Sequence, residues 1–211
     1  MLITLADYRR IHSTIHSLLL ADAVESEKAS MLFSVYGAQI LKRHYGLAAQ
    51  PVAGCAAYHL GLQAKVLAFG ELQTNQLTSS PNQHHWWVEV DGWLIDFMAP
   101  LFPVLVTRSG KEANIAAWMM QKPLAKAKKS VTQVRSQGDF FISENNTLAA
   151  EKMSLMVQEK NHIQRGKLAL DWFVKAPKKM PSPLSVKFEN AKDPAKAKLI
   201  AYKSFLVSGS W

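Results

Sequence analysis

At 211 residues, with 48% hydrophobic content and a single cysteine, the chain is long enough to bury a full core and cannot form an internal disulfide or a multi-cysteine zinc site. It holds no run of 18 apolar residues, and Asp7, Arg9 and Arg10 interrupt what would be the apolar region of a signal peptide, so a soluble cytoplasmic protein without a membrane partner is expected. The net charge of +9 is uneven: residues 1–105 carry 6 Lys or Arg against 8 Asp or Glu, and residues 106–211 carry 19 against 8. A basic half can attract nucleic acid or an acidic partner, although lysines spread through amphipathic helices are first of all a solvated face.

The apolar spacing of Leu5, Tyr8, Ile11, Ile15, Leu18 and Leu19 predicts an amphipathic helix over 5–21, lying on the core from outside. A second helix is expected over 26–44, with Ser26 as N-cap, Glu27 at its positive end and Lys42, Arg43 and His44 at its negative end. Its residues Met31, Leu32, Val35, Tyr36, Ala38, Ile40 and Leu41 cover most of its circumference, which marks it as buried, and Gly46 ends it. Strands follow over 48–60, with Gly54 as a bulge, and over 65–69, and the polar run 73–83 reads as a loop. After Pro100, an apolar stretch at 101–106 leads into a short helix over 115–120, then a basic, exposed segment at 122–129. Further on, the pattern suggests a strand at 140–142, a helix at 147–160, an apolar segment at 167–175, a proline-bracketed linker at 178–183 and a terminal helix at 194–205. The whole is read as one domain over 1–211: an N-terminal helix (1–25), a core (26–105) and a basic, mainly helical elaboration (106–211).

The most informative stretch is His84-His85-Trp86-Trp87-Val88-Glu89-Val90-Asp91-Gly92-Trp93-Leu94-Ile95-Asp96-Phe97-Met98-Ala99-Pro100. Its β-branched and aromatic residues predict two strands, and Asp91-Gly92 suits the positive φ angles of a two-residue turn. Facing strands would then bring the His85 ring beside the Asp96 carboxylate. A histidine held by a carboxylate is an oriented general base, and it lacks only a nucleophile. Enzymes that use a thiol commonly place it at the start of a buried helix, where the dipole and the imidazolium favour the thiolate.

The segments Tyr45-Gly46-Leu47-Ala48-Ala49, Val52-Ala53-Gly54, His85-Trp86-Trp87-Val88-Glu89-Val90 and Gly92-Trp93-Leu94-Ile95-Asp96 together resemble the core of the transglutaminase-like proteins, within the papain-like cysteine enzymes. The wording is also similar to a small uncharacterised bacterial family in that superfamily. The resemblance covers about residues 26–100. It implies an α+β fold with a buried helix packed on an antiparallel sheet, His85 as base, Asp96 as its orienter and a nucleophile on the first turn of the 26–44 helix. Where the family has cysteine, within Lys28-Ala29-Ser30-Met31, this chain has Ser30. Serine is isosteric with the thiol but far less acidic. The chain then reads as a relative that binds without turnover, as one carrying a cysteine-to-serine replacement, or as an enzyme that uses Ser30 itself.

Cys55 is the alternative nucleophile: it precedes His85 and Asp96 but lies in a strand-like segment, and unpaired cysteines are often inert packing groups. His85, Glu89 and Asp96 share a face on which a metal could bind, but no second well-placed histidine is seen among them, and neither a metal nor another cofactor is expected. Gln50 and Gln83 are the candidates for an oxyanion donor, with nothing in their spacing to choose between them. The expected activity is acyl transfer, with hydrolysis of a peptide, protein or small amide substrate foremost. The alternative is an inactive binding module for a peptide or acidic polymer.

Overall fold

The computed structural model describes residues 1–21, 24, 29–61, 65–110, 115–175, 182–186 and 198–211. Two helices open the chain, α1 (Leu5–Ala21) and α2 (Ser30–Tyr45). The expected apolar face of α1, with Tyr8, Ile11, Ile15 and Leu19, is fully buried in one core with α2, and the helix is more enclosed than an outer position implies, since His12, Ser13, Thr14 and Ser17 are buried too. Ser26 and Glu27 lie outside the described residues, and the cap position of α2 is taken by Ala29. At its far end Gly46 adopts φ +68 and donates to the Lys42 carbonyl while Leu47 donates to that of Leu41, so the helix stops where a left-handed residue is expected.

The next elements are β1 (Gln50–Gly61), β2 (Lys65–Phe69), β3 (Glu71–Gln73), β4 (Gln76–Thr78), β5 (His85–Val90) and β6 (Trp93–Asp96). Asp91 and Gly92, at φ 49 and 74, form the two-residue turn between β5 and β6. A second such turn falls inside the expected 73–83 loop: Thr74 and Asn75 both have positive φ and join β3 to β4. The register of β1 is regular at Gly54 and shifts between His59 and Gly61, so the bulge lies at the end of the strand and not at its glycine.

After α3 (Phe102–Arg108), the expected 115–120 helix is replaced by β7 (Trp118–Pro123), whose Met120 and Gln121 pair with Asp96 and Ile95. Met and Ala favour helices in isolation, but here the open edge of β6 captures the segment as a strand. Then come β8 (Phe140–Glu144), α4 (Asn146–Gln158), α5 (Lys160–Trp172), β9 (Leu184–Val186), β10 (Lys198–Ile200) and β11 (Gly209–Ser210). Residues 198–200 are therefore strand where a terminal helix was expected, and 194–197 lie outside the described residues, as does most of the 178–183 linker. The half after residue 105 supplies strands as well as helices.

Seven strands form one sheet in the order β11-β7-β6-β5-β1-β2, with β8 also on β1. Because β11 runs parallel to β7, the sheet is mixed and not purely antiparallel. The architecture is thus α+β, with five α-helices among the described residues. The long β1 is its pivot. One edge pairs with β5 over Gln50–Gly54 and then with β2 from Ala56 onward, and the other edge pairs with β8 over Gly54–Tyr58. So β5 and β2 meet end to end along β1, His85 opposite Gly54 and Phe69 opposite Ala56. No described helix is long and apolar enough to cross a membrane.

Candidate active site

His85 and Asp96 meet as the hairpin predicts. Nε2 of His85 lies 2.6 Å from Oδ2 of Asp96, and both side chains are 1% exposed. The other carboxylate oxygen accepts the backbone N–H of Met98 at 2.9 Å, and the Tyr8 hydroxyl of α1 donates to the Asp96 carbonyl. The aspartate is therefore fixed at three points. With the carboxylate ionised, Nε2 carries the hydrogen of this pair and Nδ1 presents a lone pair. Nδ1 is buried and has no hydrogen-bond partner.

The surroundings of this pair are aromatic. Phe69 stacks on the His85 ring at 4.1 Å between centroids and 18° between planes, and Tyr58 and Phe102 flank it at 5.9 and 6.1 Å. The Tyr58 hydroxyl is buried without a hydrogen-bond partner in good geometry, yet it lies close enough to Asp96 for the carboxylate, after burial itself, to push its ionisation well above the usual phenol range. Tyr8 is displaced upward for the same two reasons. Both phenols stay protonated, and neither adds a negative charge beside Asp96.

Ser30 is the first residue of α2 and is buried at 8% exposure. Helical spacing puts it on one stripe with Ser34 and Gly37. Ser34 Oγ donates to the Trp87 carbonyl at 2.5 Å, and a Cβ placed on Gly37 would fall 2.3 Å from the Phe97 ring. These small residues let α2 approach β5 at Trp87 and the chain just after Asp96 at Phe97. Ser30 and His85 share no hydrogen bond, since Nδ1 has none.

Cys55 is not near the site. Its neighbours Gly54 and Ala56 pair with His85 and Phe69, so strand alternation turns the thiol to the opposite face. There it packs with Ala57 and Leu77 and donates to the Leu77 carbonyl at 3.1 Å, and burial raises its pKa. That removes it as nucleophile. Gln83 is exposed in a turn. Gln50 pairs with Glu89, four residues along β1 from Gly54, about 13 Å of strand from His85. Neither glutamine is therefore placed as an oxyanion donor. A buried glutamine that the pattern did not single out, Gln121, serves the fold instead. Its Oε1 accepts the N–H groups of Leu2 and Ile3 and its Nε2 donates to the Ile3 carbonyl, tying the start of the chain to β7.

Glu89 is occupied by Trp87, whose indole N–H donates to Oε1 at 2.8 Å. Its pKa is raised by burial, and by Glu144 to a smaller degree. Among the described residues no three His, Cys, Asp or Glu side chains are grouped to hold a metal ion. His84 is half-buried and its Nδ1 lies 3.1 Å from the Ser80 carbonyl.

A family model described as "Protein of unknown function (DUF2026)" matches residues 4–211. Among solved structures the chain is similar to one described as the crystal structure of genomics APC5867: 34% identity, a TM-score of 0.87, and coverage of 100% of this chain and 98% of that one. No curated protein matches.

Proposed function

We propose that this chain, which belongs to the family described as Protein of unknown function (DUF2026), is an acyl-transfer enzyme of papain-like or transglutaminase-like type, acting on an amide, with Ser30 as nucleophile, His85 as base and Asp96 as its orienter. The observation that carries this reading is the buried 2.6 Å contact between His85 Nε2 and Asp96, with Nδ1 left unpartnered. Buried His12 also leaves one ring nitrogen unpartnered, but its other nitrogen meets a backbone carbonyl; a buried carboxylate on the second nitrogen is what sets His85 apart.

The register of α2 adds support. Four residues separate the end of the helix from Gln50, which pairs with Glu89, so α2 and β5 run in the same direction. Ser30 stands one turn, about 6 Å, before Ser34, and His85 stands two residues, about 6.6 Å, before the Trp87 carbonyl that Ser34 holds. The two steps are of similar length, which supports pairing Ser30 with His85 in this reading. In the reaction, Nδ1 takes the Ser30 proton as Oγ attacks the carbonyl carbon, then gives it to the departing amine. Water hydrolyses the resulting ester by the same route reversed, with Nδ1 again the base. The first N–H groups of α2 have no acceptor within the helix and can face the developing oxyanion.

Covalent labelling tests the proposal. A fluorophosphonate is expected to modify Ser30 alone among the serines, and the His85→Ala variant to lose that label. Modification spread over exposed serines, or unchanged without His85, would sink the proposal. Closure of the pair from solvent favours a second reading, in which the pair is a structural remnant in a binding module; an unlabelled, fully folded protein is its signature.

A further inference from the structure

The His85–Asp96 pair is complete but shut, and the side chain that shuts it is identifiable. Phe69 is the last residue of β2, a five-residue strand held on one side by β1, with no described strand on its other side. Its ring covers the His85 ring face to face at 4.1 Å while remaining half-buried, so Phe69 is a boundary between the imidazole and solvent. β2 and β5 are not bonded to each other where they meet. Withdrawing Phe69 therefore breaks no hydrogen bond of β5 and leaves the dyad's own contacts, which run to Met98 and Tyr8, in place. The space it would vacate has aromatic walls: Phe102 at 5.6 Å, Tyr58 at 6.2 Å and the imidazole itself.

We infer that Phe69 is a displaceable plug standing where the acyl side chain of the substrate binds, and that this side chain is aromatic. The inference rests on the proposed function for the word acyl, but the plug itself does not. A flat ring already satisfies the site geometrically, in the offset-stacked arrangement that aromatic groups prefer. A substrate ring that replaces it keeps those contacts and holds the rest of the substrate beside the His85 ring. An aliphatic or charged side chain would lose the stacking or leave a charge among the rings.

The test uses Phe69→Ala with phenylacetamide and acetamide as probes. Site-resolved acylation of histidines by diethyl pyrocarbonate is expected to be at least tenfold faster at His85 in the variant than in the wild type. Phenylacetamide is expected to slow that reaction saturably and to raise the variant's Tm, and acetamide to do neither. His85 equally protected in both proteins, or equal effects of the two amides, would overturn the inference. Neither readout involves Ser30, so an inert serine leaves the result intact and a failed plug leaves Ser30 labelling intact. Should the variant not fold, amide hydrogen exchange on the wild type decides the point. β2 amides exchanging well before those of β5 support a plug that withdraws alone; coincident exchange contradicts it.

Discussion

Asp96→Asn is expected to lower the rate of fluorophosphonate labelling at Ser30 by about ten-thousand-fold with the fold retained, the scale of loss seen when an orienting carboxylate becomes an amide. The amide oxygen can still accept the Met98 N–H, so the loop after β6 keeps its anchor. The amide nitrogen then faces His85 Nε2 and can only donate. Nε2 is forced to accept, the ring hydrogen moves to Nδ1, and the lone pair needed to take the serine proton disappears. Asp96→Ala is the harsher change. It leaves the His85 Nε2–H and the Met98 N–H buried without an acceptor, at a cost of about 1–3 kcal/mol for each donor left unsatisfied. Labelling kinetics on the first variant and urea denaturation on the second separate the chemical role of Asp96 from its structural one. An Asp96→Asn protein that labels at the wild-type rate would show that His85 needs no orienter.

Stability should fall as pH drops from 7 to 5 through a histidine that is not a member of the His85–Asp96 pair but bonds to the residue after Asp96. His12 on α1 is fully buried between Phe33 and Phe205, bonded to the Phe97 carbonyl through Nδ1 at 2.7 Å, and left without a partner at Nε2. Burial lowers its pKa to about 3, the Phe97 carbonyl working in the other direction and neighbouring His16 adding to the depression. His16 is lowered as well, by burial and then by Lys203. Such a group is neutral when folded and takes a proton when unfolded anywhere between the two pKa values. The unfolded state therefore binds more protons from about pH 6.5 down to about 3, and stability present above 6.5 is lost as pH falls through that window. From pH 7 to 5 the loss from His12 alone is about 2 kcal/mol. His12→Gln, which can still donate to the Phe97 carbonyl, should flatten the curve of urea midpoint against pH in this range, whatever it does to stability at pH 7. A slope unchanged by that substitution would assign the acid sensitivity to other groups.

How much of this was legible in the chain differs by element. The β5–β6 hairpin was, because alternation, aromatic density and the Asp91-Gly92 turn all act within a dozen residues, and that locality brought His85 to Asp96. The buried character of α2 was legible from its unbroken apolar content, whereas its start was expected at Ser26 and falls at Ser30, which the resemblance singles out. The tyrosines around Asp96 were not: Tyr8 and Tyr58 come from α1 and the middle of β1, and only the closed core shows that their hydroxyls turn to the same aspartate. Nor was β7, a Met-rich strand created by pairing with β6 on one edge and β11 on the other. The pairing of His12 and His16 one turn apart on α1 was visible as a spacing, but their buried stacking at 5.4 Å depends on the returning segment that brings Phe205 over them. Phe69 read as an ordinary strand residue, since its meaning lies in where β2 ends relative to β5.

The most direct test of Ser30 and His85 acting together is the pH profile of alkylation by iodoacetamide in Ser30→Cys, measured beside the same substitution carrying His85→Ala. Cys55, buried on the opposite sheet face with its pKa raised, should stay silent in the native protein. The profile, rather than the absolute rate, is read, so that cover by Phe69 scales both proteins without changing the answer. The expected result is an introduced thiol that reacts well below the free-thiol value of about 8.5 and shifts back toward it when His85 is removed. An introduced thiol that titrates like a free one, with or without His85, would contradict the assignment.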